Sequence, residues 1–308
     1  MNHPTIQVSP SACVPGAGDA IRHGAIHLRV TDLGRARAFW GDALGLRERD
    51  RTATTLTLGT PGRDLVVLHS GAARPAPRGH AGLYHVAFHV PTEDAFGRAL
   101  LRLAVHRVPQ APTDHIFSIA TYAHDADGLG LEVTRETPRR VTGRIVTDRE
   151  IALIDDDGRR RAPTEALDVR PILAPLAGGD PGPHADDDTV VGHVHLHVDD
   201  IPPAAAFYES LVGFDEHMRM DRIGMADFSA GGDFPHRLAV NVWQGPGAAP
   251  TPDDAAGLVH HELRVDPDGL AAIAERMDAA GHPYERRDGA LWVRDPAGNA
   301  LAIDARPV

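Results

Sequence analysis

The stretch GHVHLHVDDIPPAAAFYESLVGF, residues 192–214, answers GAIHLRVTDLGRARAFWGDALGL, residues 24–46. The first copy opens with Ile26, Leu28 and Val30, and apolar residues at every second position have the period of a strand. Asp32 and Asp200 each stand seven residues before an aromatic doublet, Phe39-Trp40 or Phe207-Tyr208, and thirteen before a glycine, Gly45 or Gly213. An aspartate ahead of a helical apolar pattern caps a helix, and a glycine behind it ends one. Here Ala36, Phe39, Trp40 and Leu44 make the apolar side. Strand-like pieces at Thr54–Leu58 and Asp64–His69 complete a βαβββ unit.

Two further stretches fit the same plan. GLYHVAFHV, residues 82–90, is matched by GLVHHELRV, residues 257–265, and DADGLGLEVT, residues 125–134, by DPAGNALAID, residues 295–304. Pro91 ends the strand of the second unit, and a helix from about Glu93 to Val105 follows. Four copies of one supersecondary unit form an internal repeat. One unit buries too little apolar surface to stand alone, so units must pair. The expected fold is α+β: four βαβββ units pairing into two incomplete mixed-sheet barrels. Residues 1–20 read as a Pro/Gly/Ala-rich tail and 21–135 as an N-terminal pair of units. Residues 136–189 read as a polar linker with ordered pieces such as Ile151–Ile154, and 190–308 as a C-terminal pair.

A chain of 308 residues that is 42% hydrophobic can build cores of this size. Its net charge of -12 argues against nucleic acid or an anionic membrane as partner, and 5% aromatics against a base-stacking platform. The single Cys13 excludes an intramolecular disulfide and a cysteine metal site. No apolar run has the length of a membrane span and no charged-then-apolar leader opens the chain, so a cytoplasmic protein is expected. Histidine is the unusual count, at 19 residues.

The segment DHIFSIATYAHDADGLGLEV, residues 114–133, carries the chemistry. Asp125, Asp127 and Gly128 signal a turn. Leu129, Leu131 and Val133 then alternate with Gly130 and Glu132, which puts Glu132 on the face opposite the apolar side chains. Inside a barrel an acid there needs a cation or a proton. Across the copies, the first-strand position occupied by Ala25 in unit one is His85, His193 and His260 in units two, three and four. Four residues after the turn glycine stands Glu132 in unit two and Ala302 in unit four. Units two and three together offer His85, Glu132 and His193, a two-histidine, one-carboxylate set suited to non-haem Fe(II) and O₂. A single histidine on a strand is more often satisfied or solvated than a ligand; three at equivalent inward positions shift that balance. Units one and four offer only His260 beside Ala25 and Ala302, so that half is expected to be packed and metal-free. His195 and His197 share the inward face with His193, and His27 and His89 flank it. His23, His69, His80, His106 and His184 read as surface.

These units resemble the vicinal oxygen chelate superfamily, which includes glyoxalases, bleomycin-resistance proteins and type I extradiol dioxygenases. His115, Tyr122, Asp125, Gly128 and Glu132 match the extradiol signature; Thr121 replaces its usual apolar residue and Ala126 its proline. The run FSAGGDFPHRLAVNVW, residues 228–243, is similar to the strand of catechol 2,3-dioxygenases that carries a catalytic histidine, here His236. The resemblance spans about 22–135 and 190–305. It implies a catechol-type aromatic diol and O₂ as substrates, with Fe(II), or Mn(II) as the alternative ion, at His85, Glu132 and His193. It also implies that His236 takes a proton and later returns it, that Tyr122 donates a hydrogen bond to a metal-bound substrate oxygen, and that His115 stands behind it or touches the substrate. Some members pair unit one with four and two with three, which would assemble this set, and that pairing is expected here. A homo-oligomer, dimer or larger, is expected. The same resemblance also admits a metal-free ligand-sequestering protein, or a glyoxalase-like isomerase with a second metal carboxylate.

Overall fold

The computed structural model describes residues 16, 18–147 and 150–306. The expected N-terminal tail lies mostly outside them. Its described end is anchored: the Ala20 amide donates to Ala230 O (2.7 Å) and Asp19 ion-pairs with Arg237 (2.8 Å).

The repeat folds as four βαβββ units, and among the described residues their strands form two large sheets. Units one and four join through antiparallel strands Arg22–Val30 and Gly257–Arg264 in an eight-stranded sheet. Units two and three join through His80–His89 and Val190–His197 in a ten-stranded sheet. On its other side, each of these strands runs parallel to the last strand of its own unit. These opening strands are central in their sheets, and His80–His89 and Val190–His197 are apolar along most of their length apart from the histidines, whereas the other two also carry Arg22, Arg29, Glu262 and Arg264. Each sheet therefore takes one unit from each half of the chain.

The Asp32 pattern predicts one α-helix. The structure instead has α-helix over Leu33–Ala36 and π-helix over Arg37–Ala43, and unit three repeats this with Ile201–Ala206 and Phe207–Val212. The widened turns are visible in the Leu44 amide bonding Phe39 O (3.0 Å) and the Gly213 amide bonding Tyr208 O (2.9 Å), five residues back. Gly45 and Gly213 close the two helices at φ 94° and 103°, a region that suits glycine. The fully buried Trp40 and Tyr208 then reach across to the other sheet. Trp40 Nε1–H donates to Asp125 Oδ2 (3.0 Å), and Tyr208 O–H donates to Asp295 Oδ2 (2.9 Å). Asp125 Oδ1 also accepts the amides of Asp127 and Leu129 (both 2.9 Å). The signature aspartate thus shapes its turn and clasps the two sheets together.

The expected linker is structured. Val141–Thr147, Glu150–Asp155 and Arg160–Arg161 form a separate three-stranded sheet, and Glu165–Ala166 pairs with Ala111–Asp114. Ile151 and Leu153, two residues apart on one strand, share a face that gives this polar segment an apolar inner side. Among the described residues, no helix is long and apolar enough to cross a membrane.

The two clasp bonds yield a stability prediction. Trp40→Phe or Tyr208→Phe removes one donor from a buried carboxylate while keeping the aromatic packing. Each should cost about 1–3 kcal/mol in chemical denaturation.

Candidate metal centre

His85, Glu132 and His193 lie on three adjacent strands, with the strand of His85 in the middle. Register explains how they meet. Ala87 pairs with His193 on one side and with Glu132 on the other, so these three form a row across the sheet. His85 is two residues from Ala87 and therefore on the same face. The small Ala87 side chain leaves the space above it to the other three.

Their ligating atoms form a near-equilateral triangle. Glu132 Oε2 is 2.9 Å from His85 Nε2 and 3.0 Å from His193 Nε2, and the two nitrogens are 3.2 Å apart. Adjacent ligands of an octahedral ion, each about 2.1 Å from it, stand roughly 3.0 Å apart. All three residues are buried, with Glu132 2% exposed. Burial pushes the Glu132 carboxyl up, but the neighbouring His193 and His85 rings outweigh it and hold the group well below the usual carboxylate range. Burial pushes the His193 imidazole well below its ordinary value and so favours the neutral ring. Thr134 Oγ1 donates to Glu132 Oε1 (2.6 Å), leaving Oε2 to face the histidines.

A buried relay stands behind His193. Arg237 ion-pairs with Glu136 (2.6 Å), Glu136 Oε1 bonds His89 Nδ1 (2.7 Å), and His89 Nε2 bonds His193 Nδ1 (2.8 Å). A carboxylate only accepts, so His89 Nδ1 carries a proton and His89 Nε2 accepts from His193 Nδ1–H. His193 Nε2 then presents a lone pair to Glu132 Oε2. Two electron-rich atoms at 3.0 Å in a buried site call for a cation between them. The donor set, its spacing and this relay fit a divalent metal ion.

One side of the triangle faces a cavity of about 400 Å³. His115, Tyr122 and His236 all line it. His115 Nδ1–H donates to Pro163 O (2.9 Å), so in the neutral ring Nε2 accepts the Tyr122 hydroxyl proton (2.8 Å). Burial, then the Glu132 charge, raises the Tyr122 phenol well above its ordinary value and keeps it protonated. His236 Nδ1 is 3.1 Å from Asp227 Oδ2, and its ring centroid is 4.7 Å from that of His193. His195, also on the cavity wall, bonds Asn241 (2.8 Å). His197 bonds the other side of Asn241 (2.7 Å).

The chain is 30% identical over 281 residues to the catechol-2,3-dioxygenase of Bacillus subtilis (strain 168), covering 90% of this chain and 94% of that protein. A family model described as the glyoxalase/bleomycin resistance protein/dioxygenase superfamily matches residues 21–150. The chain belongs to this superfamily. Among solved structures, glyoxalase I of Zea mays shares the fold with a TM-score of 0.55 at 15% identity, covering 93% of each chain. The cppA protein of Streptococcus pneumoniae TIGR4 does so with a TM-score of 0.51 at 10% identity, covering 94% of this chain and 99% of that one.

Within this superfamily fold, the sequence left several cavity residues unassigned. Tyr84, Asp227, Ile151, Leu153 and Pro163 all line the cavity, the last three from the supposed linker. His89 carried a signal in its period-two spacing from His85, but its partners Glu136 and Arg237 lie on other strands or loops. Of the histidines expected at the surface, His23 is not there and His69 is half-buried. His23 is buried and bonds Arg237 O (2.7 Å), and His69 Nε2 meets His27 Nδ1 (3.0 Å). The half expected to offer only His260 also brings His27 and Glu262 to it, within 4.8 Å between ligating atoms.

The relay predicts a graded effect on metal affinity. His89→Leu removes the acceptor for His193 Nδ1–H and should weaken divalent-metal binding about 10–100-fold in equilibrium dialysis. His89→Gln, whose amide oxygen can accept that proton, should lie nearer the parent.

Proposed function

We propose that the chain is an extradiol ring-cleaving dioxygenase, opening a catechol-type aromatic with O₂ at Fe(II) held by His85, Glu132 and His193. The observation that carries this reading is the buried two-histidine, one-carboxylate triangle with one side on an aromatic-sized cavity. The name of the Bacillus subtilis relative supports the same reading. His85, Glu132 and His193 would hold Fe(II), or Mn(II) in its place, and the ion would supply Lewis acidity to the diol and a centre that reacts with O₂.

The chain's own groups then have distinct tasks. Asp227 accepts from His236 Nδ1–H, so Nε2 is the base that takes a diol proton and returns it during ring opening. The Tyr122 hydroxyl keeps its proton and donates it as a hydrogen bond to His115, so its oxygen is placed to accept from a substrate hydroxyl and not to donate as the resemblance implies. Met218, Met220 and Leu153 supply apolar wall for the ring and exclude water. A glyoxalase-like reading needs a further carboxylate on unit three. The residue paired with His195 there is Ala239, where unit two pairs Glu132 with Ala87.

The test is anaerobic purification, iron loading and oxygen uptake with plain catechol, with one O₂ consumed per catechol expected. Stoichiometric catechol binding by iron-free protein with no oxygen uptake after loading would instead identify a sequestering protein. Glu132→Ala should abolish both bound iron and turnover. His236→Ala should keep the iron while turnover falls about 10²- to 10⁴-fold, the scale of a lost acid–base group.

A further inference from the structure

The sister sheet of units one and four is not a blank copy of the first. Where Ala87 lies between His193 and Glu132, its counterpart Glu262 lies between Ala25 and Ala302. The carboxylate has moved one strand over, onto the same strand as His260. His27, paired with His260 in the register, is the counterpart of His195. Moving the acid to the middle strand puts small residues on both sides of it, so the row has changed from large–small–large to small–large–small.

The ligating atoms of His27, His260 and Glu262 lie within 4.8 Å of one another. His27 Nε2 is 3.5 Å from Glu262 Oε1, longer than an ordinary hydrogen bond, and no closer partner meets it. His260 is 6% exposed, its Nδ1 is buried without a partner, and its ring stacks on that of His27 with centroids 3.8 Å apart. Weakly answered ring nitrogens in a part-buried cluster need an explanation, and an ion is one. As with His193, a second ring stands behind the first: His69 Nε2 bonds His27 Nδ1 (3.0 Å) and fixes the ring's orientation. Glu262 Oε2 is already used by Arg264 and by the Ala25 amide (3.0 Å), so Oε1 is the oxygen left facing His27. A Cβ on Gly24 would lie 2.7 Å from Glu262 Oε2, so glycine there keeps room for the carboxylate. The cluster opens on a cavity of about 290 Å³ that includes His27, Glu262, Gly24 and Ala25.

We propose that His27, His260 and Glu262 form a second cation site, for a divalent ion of the imidazole-preferring class such as Zn²⁺. Two imidazoles and one oxygen of a carboxylate shared with Arg264 are a poor set for Mg²⁺ or Ca²⁺, which seek several charged oxygens. The proposal rests on residues distinct from those at the first centre and holds whatever reaction that centre performs.

The probe is Zn²⁺ added to the metal-free full-length chain, followed by dialysis and metal counting. The parent should retain two ions per chain. Glu132→Gln should lose one of them, and His27→Asn or Glu262→Gln the other. Zinc-edge anomalous diffraction from parent crystals should give a peak between His27, His260 and Glu262. One retained ion in the parent, a second ion that survives both His27→Asn and Glu262→Gln, or no anomalous peak at the cluster overturns the proposal. The diffraction measurement decides the matter should either variant fail to fold.

Discussion

The Glu132 carboxylate is the constraint around which the ten-stranded sheet is arranged. A charge at 2% exposure is costly unless its surroundings answer it. Thr134 donates to one oxygen, and the other faces the histidines of two neighbouring strands, where a bound cation would answer it. The answer continues outward through His89 to Glu136, a second buried acid, which Arg237 neutralises. Arg237 in turn meets Asp19 at the start of the described chain, and its carbonyl holds His23. A line of acids and bases, Glu132, His193, His89, Glu136, Arg237 and Asp19, runs from the centre to the N-terminal segment. Gly192 belongs to the same constraint: a Cβ there would lie 2.0 Å from the His89 ring, so only glycine lets the relay pass.

The two sheets share a scaffold and differ at a few inward positions. The clasp bonds of Trp40 and Tyr208, the π-helical turns and the turn aspartates are common to both halves. The differences lie where a side chain points into the barrel: Ala87 against Glu262, His193 against Ala25, Glu132 against Ala302, His89 against Arg264. In the sister sheet Arg264 bonds Asp304 and Oε2 of Glu262, and Oε1 of Glu262 is left facing His27. Pairing units across the halves lets the two barrels diverge in chemistry while one continuous apolar core joins them.

The segment 141–166 has a different physical character. It is polar overall and breaks the repeat, and a long insertion costs little because loop closure grows slowly with length. Its Ile151, Leu153, Pro163 and Thr164 close one wall of the cavity, and Pro163 O holds His115 in place. Positioning of the Tyr122 hydroxyl therefore depends on a stretch whose composition suggests only a connector.

Local periodicity determined the architecture from the sequence alone. Alternation every second residue, capping aspartates and turn glycines at fixed spacing act over a few residues, so they survive in the linear pattern and reveal four equivalent units. Equivalence then singled out His85, Glu132 and His193, because the same inward position is read in each copy. Tertiary structure decided what lay between copies. The π-turns follow from Trp40 and Tyr208 reaching an aspartate in another unit. The relay through His89, Glu136 and Arg237 joins elements whose spacing along the chain has no period. His27 and Glu262 stand off the aligned positions, and only the antiparallel register of Arg22–Val30 with Gly257–Arg264 brings His27 to His260 and Glu262. Contacts of this kind depend on which strands become neighbours and in what register, and that is settled by burial over the whole chain rather than by any local stretch.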